Sequence, residues 1–229
     1  MAENYIGIMC GTSLDSLDFS LCCFKKAKKL KTFKSYRINQ ELKNKIDLCK
    51  MKPANLALFN ETDKEVTDFI IACLQKFMIV SKVKKIKAIG YPGITLVHNP
   101  SKCISKTLGN PEIIAARTKF KIIGDFRLSD MKAGGHGAPL APYFHEYISI
   151  KEKPFVNILN LGGFSNWTFK SDNKLVAYDT GPANYLIDLI SNKYFDVPYD
   201  KNGLLAKKGK INDKALLAML SDRFFDQEI

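Results

Sequence analysis

The period of the apolar positions changes along the chain, and each change marks an element. Residues 5–9, Tyr-Ile-Gly-Ile-Met, form an apolar run of strand length. Residues 17–24 alternate well enough for a second strand, and residues 32–38 predict a third. A small-residue turn, Gly11-Thr12-Ser13, separates the first two, and a lysine-rich turn separates the next two. The chain therefore opens on an antiparallel meander. Helical spacing follows. A short helix is predicted over 40–49 and a long one over 56–80, where Phe59, Val66, Phe69, Ile70, Cys73 and Phe77 recur at helical intervals. Thr62 and Asp63 break that pattern.

A strand over 86–91 stops at Pro92-Gly93. Asn110-Pro111-Glu112 opens a helix with a capping side chain, a proline at the first helical position and an early acid. A strand over 121–124 leads into residues 125–137, a polar, Gly-rich segment that is long for a plain connector. Beyond a helix over 142–150, strands at 155–161 and 164–169 flank Gly162-Gly163. A third strand at 175–178 and an amphipathic helix over 182–195 follow. Hairpin around a small-residue turn, third strand, then helix: the second half repeats the arrangement of the first without repeating its sequence. A last helix spans about 213–220, capped by Asn212, and residues 221–229 add no closing element.

Composition narrows the class. A chain of 229 residues, 46% hydrophobic and 25% charged, suffices for one large or two small domains with a core. No apolar run reaches the ~18–20 residues of a membrane span, and Met1-Ala2-Glu3-Asn4 does not open a signal peptide, so a soluble, cytoplasmic protein is expected. Six cysteines without CxxC spacing fit small buried hydrophobes in a reducing compartment. The net charge of +12 invites a nucleic-acid reading, but only Arg37, Arg117, Arg127 and Arg223 are arginines. Base and phosphate readers favour arginine, and the densest lysine run falls in a turn, so no nucleic-acid partner is expected. The positive field would still attract anionic ligands such as nucleotides.

Four stretches can carry chemistry. In Gly11-Thr12-Ser13-Leu14-Asp15-Ser16-Leu17-Asp18, the small residues allow a tight turn whose N–H groups and hydroxyls can face a phosphate, while Asp15 and Asp18 can reach a magnesium ion or its waters. A purely structural turn is the competing reading. Asn160-Leu161-Gly162-Gly163-Phe164-Ser165-Asn166 is a second strand–turn–strand with glycines at its tip. In Asp179-Thr180-Gly181-Pro182-Ala183-Asn184, Asp179 suits either a catalytic base at a strand end or a helix N-cap. The fourth pairs Gly124-Asp125-Phe126-Arg127 with Gly134-Gly135-His136-Gly137-Ala138-Pro139-Leu140. There Arg127 could grip an anionic or sugar group and His136 could line a cleft, or both could simply be exposed. His98 and His145 read as structural.

In this order the stretches resemble the anhydro-N-acetylmuramic acid kinase family along nearly the whole chain. The match runs from Ile6-Gly7-Ile8-Met9-Cys10 into the loop, through Gly109-Asn110-Pro111 and the other stretches, to Tyr199-Asp200 and Leu220-Ser221-Asp222. The resemblance implies an α/β, actin-like ATPase (ribonuclease H-like) fold, with a first lobe at 1–130 and an incomplete second lobe at 131–229. It implies a cytoplasmic enzyme of peptidoglycan recycling that uses ATP and Mg2+. Water opens the anhydro ring of 1,6-anhydro-N-acetylmuramic acid, and the freed O6 takes the γ-phosphoryl group. By resemblance, Gly11, Thr12, Ser13, Leu14, Asp15, Ser16, Leu17 and Asp18 bind ATP, together with Gly162 and Gly163. Asp15 holds the metal, Asp179 is the base that activates the water, and Arg127, His136 and Asn184 contact the sugar.

The chain departs from the family pattern in places. Ser16 replaces a glycine and would crowd a left-handed backbone there. Tyr91-Pro92-Gly93-Ile94-Thr95 lacks the family's His and Gln, Arg127-Leu128-Ser129-Asp130 has one arginine for three, and His136 and Ala183 stand for Gln and Gly. Family members also continue well beyond the match, which makes a truncated second lobe the expectation. Two readings stay open: a kinase, acting as a homodimer or with a complementing C-terminal fragment, and an inactive remnant or sugar/phosphate-binding module.

Overall fold

The computed structural model describes residues 3–24, 29–149, 155–171 and 174–223. The lysine turn at 25–28, residue 150 of the predicted helix and the final residues 224–229 lie outside them. The chain divides into two compact units, Met1–Leu140 and Ala141–Ile229.

The first unit opens with β1 (Asn4–Cys10), β2 (Ser16–Cys23) and β3 (Lys29–Arg37), the antiparallel meander expected from the pattern. Helices α1 (Gln40–Met51) and α2 (Leu56–Ser81) follow, each started by an asparagine: Asn39 Oδ1 accepts the Leu42 N–H at 2.8 Å, and Asn55 Oδ1 accepts that of Leu58 at 3.0 Å. Next come β4 (Ala88–Gly90), β5 (Ile94–Asn99), β6 (Ile104–Leu108), α3 (Pro111–Thr118), β7 (Ile122–Ile123) and α4 (Phe126–Lys132). The main sheet has the order β3-β2-β1-β4-β7, with β4 parallel to β1 and β7 parallel to β4. It is the mixed α/β sheet that the resemblance implies.

One face of β2 is buried at every second residue, Leu17, Phe19, Leu21 and Cys23, as a half-buried strand requires. Leu17, Phe19 and Leu21 join Ile6 and Ile8 in a core that also holds Val66, Ile70, Leu74 and Phe77 of α2, with Phe19 against Phe77 at 5.4 Å. The two residues that broke the α2 pattern have polar work inside the unit. Thr62 donates to the Leu58 carbonyl (2.8 Å) and accepts from the Cys49 thiol (3.3 Å). Asp63 accepts the Gly109 N–H at 2.8 Å, and Thr67 accepts that of Asn110 at 2.9 Å. Burial pushes the Asp63 carboxyl above its usual value, with the Gly109 N–H pulling the other way.

Some elements differ from expectation: the third strand of the second half runs on through Asp179 to Pro182, and the helix after it starts at Asn184. Residues 94–108, which have no predicted element, form the β5–β6 hairpin. Part of the Gly-rich segment is helix α4, entered through Asp125 in a left-handed conformation with no side-chain cap, so the usual start signal is missing. Tyr91, the first residue of the stretch that lacks the family's His and Gln, is a core residue whose hydroxyl donates to the Leu108 carbonyl at 2.8 Å. All six thiols are free, and Cys103 is exposed rather than buried.

The second unit comprises α5 (Ala141–Ser149), β8 (Phe155–Leu161), β9 (Phe164–Ser171), β10 (Lys174–Pro182), α6 (Asn184–Phe195) and α7 (Asp213–Leu220). Its sheet is an antiparallel meander, β10-β9-β8. His145 of α5 bonds Thr168 of β9 at 2.9 Å, and Asn212 caps α7 by accepting from Ala215 N–H at 3.1 Å. Among its described residues the buried polar side chains are Ser165, Thr168 and Ser191, while Tyr185, Ile187, Leu189 and Ile190 of α6 are exposed. Among the described residues no helix is long and apolar enough to cross a membrane.

Candidate active site

The β1–β2 loop is a turn pinned from below. Leu14 N–H donates to the Gly11 carbonyl at 3.1 Å, and the Leu14 side chain, 1% exposed, drops into the core. This forces Leu14 to a left-handed φ of 55°, an arrangement a non-glycine residue adopts only when its surroundings hold it there. Ser16 is not the strained residue. It begins β2, outside the left-handed region, and its hydroxyl donates to Asp18 Oδ1 at 2.9 Å. Gly11, Thr12, Ser13 and Asp15 are exposed, and Leu17 is buried. Among the described residues the Thr12 and Ser13 N–H groups have no acceptor.

Gly11 itself is not demanded by the fold. Its backbone lies outside the left-handed region, and a Cβ there would meet only Ser13 Oγ, at an ordinary 3.7 Å. Gly109 contrasts with it: at φ +88° its Cβ would collide with Tyr91 Oη. A bare glycine with room for a side chain suits close approach by a group from outside the chain. Asp15 Oδ1 lies 3.3 Å from Lys43 Nζ of α1, a pairing between residues 28 apart that nothing in the local sequence signals. Burial pushes the Cys10 thiol at the loop's base up to about 12, which favours the thiol over the thiolate.

The second hairpin is pinned by a helix. The Gly162 carbonyl accepts the Asn184 N–H at 3.0 Å, and the Gly163 carbonyl accepts those of Ala183 (2.9 Å) and Tyr185 (3.1 Å). The tip thus caps α6, whose N-cap residue Ala183 offers no side-chain acceptor. In the trans peptide between the glycines, the Gly163 N–H is directed opposite to the Gly162 carbonyl and so away from α6. Asn184 Nδ2 donates to the Leu161 carbonyl at 2.9 Å, which ties the predicted sugar ligand to the tip instead of leaving it free.

Asp179 lies within β10, opposite Asn166, and not at the start of α6, so it does not cap that helix. The ladder shifts register between Asp179 and Gly181, leaving Thr180 as a bulge. Such bulges re-aim the side chains beside them. A polar chain fixes this one: Thr180 Oγ1 donates to Ser165 Oγ (2.8 Å), which donates to the Gly181 carbonyl (2.9 Å). The Asp179 carboxylate is exposed and has no hydrogen-bond or ion-pair partner among the described residues.

Arg127 and His136 both lie in the first unit. Arg127 Nη1 donates to the Gly137 carbonyl at 2.8 Å, while its Nε is buried without a partner. Burial lowers the guanidinium pKa. Ser105 Oγ is also buried and unpartnered, and both residues line a polar cavity of about 10 Å³ with Pro92, Thr107, Asp125 and Leu128. His136 is exposed; its carbonyl accepts from His98 Nε2 at 2.9 Å. Asp130 Oδ2 accepts the Gly137 N–H at 2.8 Å. Three side chains, Arg127, Asp130 and His98, therefore clamp the Gly-rich loop; His98 has the structural role read for it, and Asp130 carried no local signal. Among the described residues no three His, Cys, Asp or Glu side chains form a metal cage. Mg2+ held against phosphates needs only one or two carboxylates, and the 11–18 loop carries two, Asp15 and Asp18.

Comparison with known proteins bears on these loops together. A family model described as anhydro-N-acetylmuramic acid kinase matches residues 3–229. A protein of that name from Sulfurovum sp. (strain NBC37-1) is 40% identical over 230 residues, covering 98% of this chain and 64% of the relative. The one from Sulfurimonas denitrificans is 39% identical, covering 98% and 62%, and that from Vibrio cholerae serotype O1 is 36% identical, covering 97% and 62%. The chain spans less than two thirds of the length of these curated relatives. Its mixed sheet fits the actin-like ATPase fold of the matched family. With every loop described above inside the matched span, the chain belongs to the anhydro-N-acetylmuramic acid kinase family.

Proposed function

We propose that this chain acts as an ATP-dependent kinase on 1,6-anhydro-N-acetylmuramic acid, giving N-acetylmuramic acid 6-phosphate, in cytoplasmic recovery of peptidoglycan sugars. The observation that carries the reading is Asp179: an exposed, unpartnered carboxylate aimed by a bulge that a three-residue polar chain holds in place. A general base needs that freedom, since a carboxylate already paired in the fold would have to break the pair to take a proton.

Asp179 takes a proton from the water that attacks the anomeric carbon. The bond from that carbon to O6 breaks, and O6 leaves with its electron pair. O6 then attacks the γ-phosphorus of ATP, and ADP departs. The proton on Asp179 returns to solvent. The 11–18 loop holds the phosphates through the Thr12 and Ser13 N–H groups. Asp15 and Asp18 are the carboxylates for Mg2+, which when bound offsets phosphate charge. Arg127, whose Nη1 holds the Gly137 carbonyl beside His136, is the cation for the sugar acid.

The test is product mass. The purified chain is given ATP, Mg2+ and the anhydro sugar, alone and with the portion of a relative that it does not span. The reading expects the 6-phosphate in at least one mixture. Binding of ATP and sugar with no product in either would make the chain a binding module instead.

A further inference from the structure

The loop read above as the phosphate site carries two carboxylates, Asp15 and Asp18, and a triphosphate brings further negative charge to the same place. Like charges so close repel unless a cation stands between them. Helix α1 supplies one. Its residues Leu42, Ile46 and Cys49 are buried, and the adjoining stripe carries Lys43, Asp47 and Lys50, all half-buried. Lys50 is engaged within the helix by Asp47 at 3.1 Å. Lys43 instead reaches out of the helix to Asp15 Oδ1 at 3.3 Å.

The end of β3 leads this helix past the loop, since the Ile38 N–H donates to the Asp15 carbonyl at 3.0 Å one residue before the Asn39 cap. A second sign places both ammonium groups near the loop: Lys50 and Lys43 each lower the pKa of Cys10 at its base, against Asp18 and Asp15, which raise it.

We infer that Lys43 is a phosphate-positioning residue, the counter-ion of Asp15 in the nucleotide-free protein and of the nucleotide's phosphates once they occupy the loop. This rests on the reading of that loop as the ATP site. The Lys43 side chain is 29% exposed and Asp15 72%, so the pair contributes little to folding, and its charge is free to be shared.

The consequence is specific to charge. Without metal, Lys43 is the cation that offsets Asp15, so its loss weakens binding of metal-free ATP most. With Mg2+ present, the carboxylates have another partner and the loss is smaller. A residue that merely held α1 in place would affect both equally and would lower the melting temperature.

The experiment is calorimetric titration of the full chain with ATP, with and without Mg2+, at low salt. The proteins are the unsubstituted chain, Lys43→Gln, Lys43→Arg and Lys45→Gln, the last changing a lysine of α1 that pairs with Glu61 and Glu65. Lys43→Gln is expected to raise the metal-free Kd about tenfold or more, the order of one charge-assisted contact. The increase should be smaller with Mg2+, the melting temperature unchanged, Lys43→Arg near the original Kd, and Lys45→Gln unaffected. Equal Kd values for the unsubstituted chain and Lys43→Gln, or equal losses in Lys43→Gln and Lys45→Gln, overturn the inference alone. No ATP binding by the unsubstituted chain overturns the loop reading and the inference with it.

Discussion

The 11–18 loop and the 162–163 tip share a sequence signature, strand, small residues, strand, yet they are held by different forces. The first is anchored by Leu14, a hydrophobic plug in a core that also holds Phe19 and Phe77. The second is anchored by its own carbonyls, which accept the first N–H groups of α6, and by one asparagine amide. A plug fixes a loop through apolar burial, which acts from many sides at once. A carbonyl cap fixes it only while the helix stays docked. The first loop is thus preformed by its unit, whereas the geometry of the second follows α6, much of whose apolar surface is exposed.

That contrast can be broken most readily at its anchors. Leu14→Ala removes a fully buried side chain and keeps the left-handed strain, so it is expected to cost about 2–5 kcal/mol in denaturant unfolding. Tyr185→Ala, which removes a half-exposed ring stacked on Phe164 at 6.2 Å, should cost below about 1.5 kcal/mol. Equal costs would erase the distinction.

A smaller effect separates function from fold. Gly11→Ala fits the folded chain and should leave stability within about 0.5 kcal/mol. It is expected to weaken ATP binding about tenfold, measured by calorimetry, because the methyl group takes the space kept for phosphate. Gly109→Ala should do the reverse and damage the fold, its methyl falling on Tyr91. Unchanged ATP affinity in Gly11→Ala would return the first loop to a structural turn.

The smallest effect concerns the inner support of the first unit. Folding raises the Asp63 pKa, so the fold favours the protonated carboxyl. Its contribution is therefore fully present below the unfolded value of 3.8 and is lost as pH rises through the higher folded value. Asp63→Asn retains the acceptor for Gly109 and removes that loss. Its melting temperature relative to the unsubstituted chain should rise between about pH 4 and about pH 7. A flat or falling difference would show that Asp63 is not desolvated.

Much of this was legible in the sequence where a local pattern carried it. The alternation of β2, the apolar spacing of α2 and the caps Asn110 and Asn212 all stand where the pattern put them. The β5–β6 hairpin was also signalled, by the alternating Ile104-Ser105-Lys106-Thr107-Leu108, and went unassigned. Helix α4 was not, because Asp125 enters it in a left-handed conformation without capping it. At the site, glycines and hydroxyls could be read as turns but not as anchored turns. The forces that set them, Asp63 on Gly109, Asp130 on Gly137, Lys43 on Asp15 and the carbonyls of Gly162 and Gly163 on α6, join residues between 7 and 46 positions apart. All but the Asp130 pair lie beyond the reach of a local window of sequence.

The most direct test of the central claim is a single turnover in ¹⁸O-labelled water, with the sugar product weighed for the unsubstituted chain and for Asp179→Asn, each with the portion of a relative that the chain does not span. The account predicts a 6-phosphate carrying one ¹⁸O at the anomeric position from the unsubstituted chain. It predicts a rate about 10²–10⁴-fold lower for Asp179→Asn, the range for loss of a general base. Product without label, or equal rates for the two proteins, would contradict it.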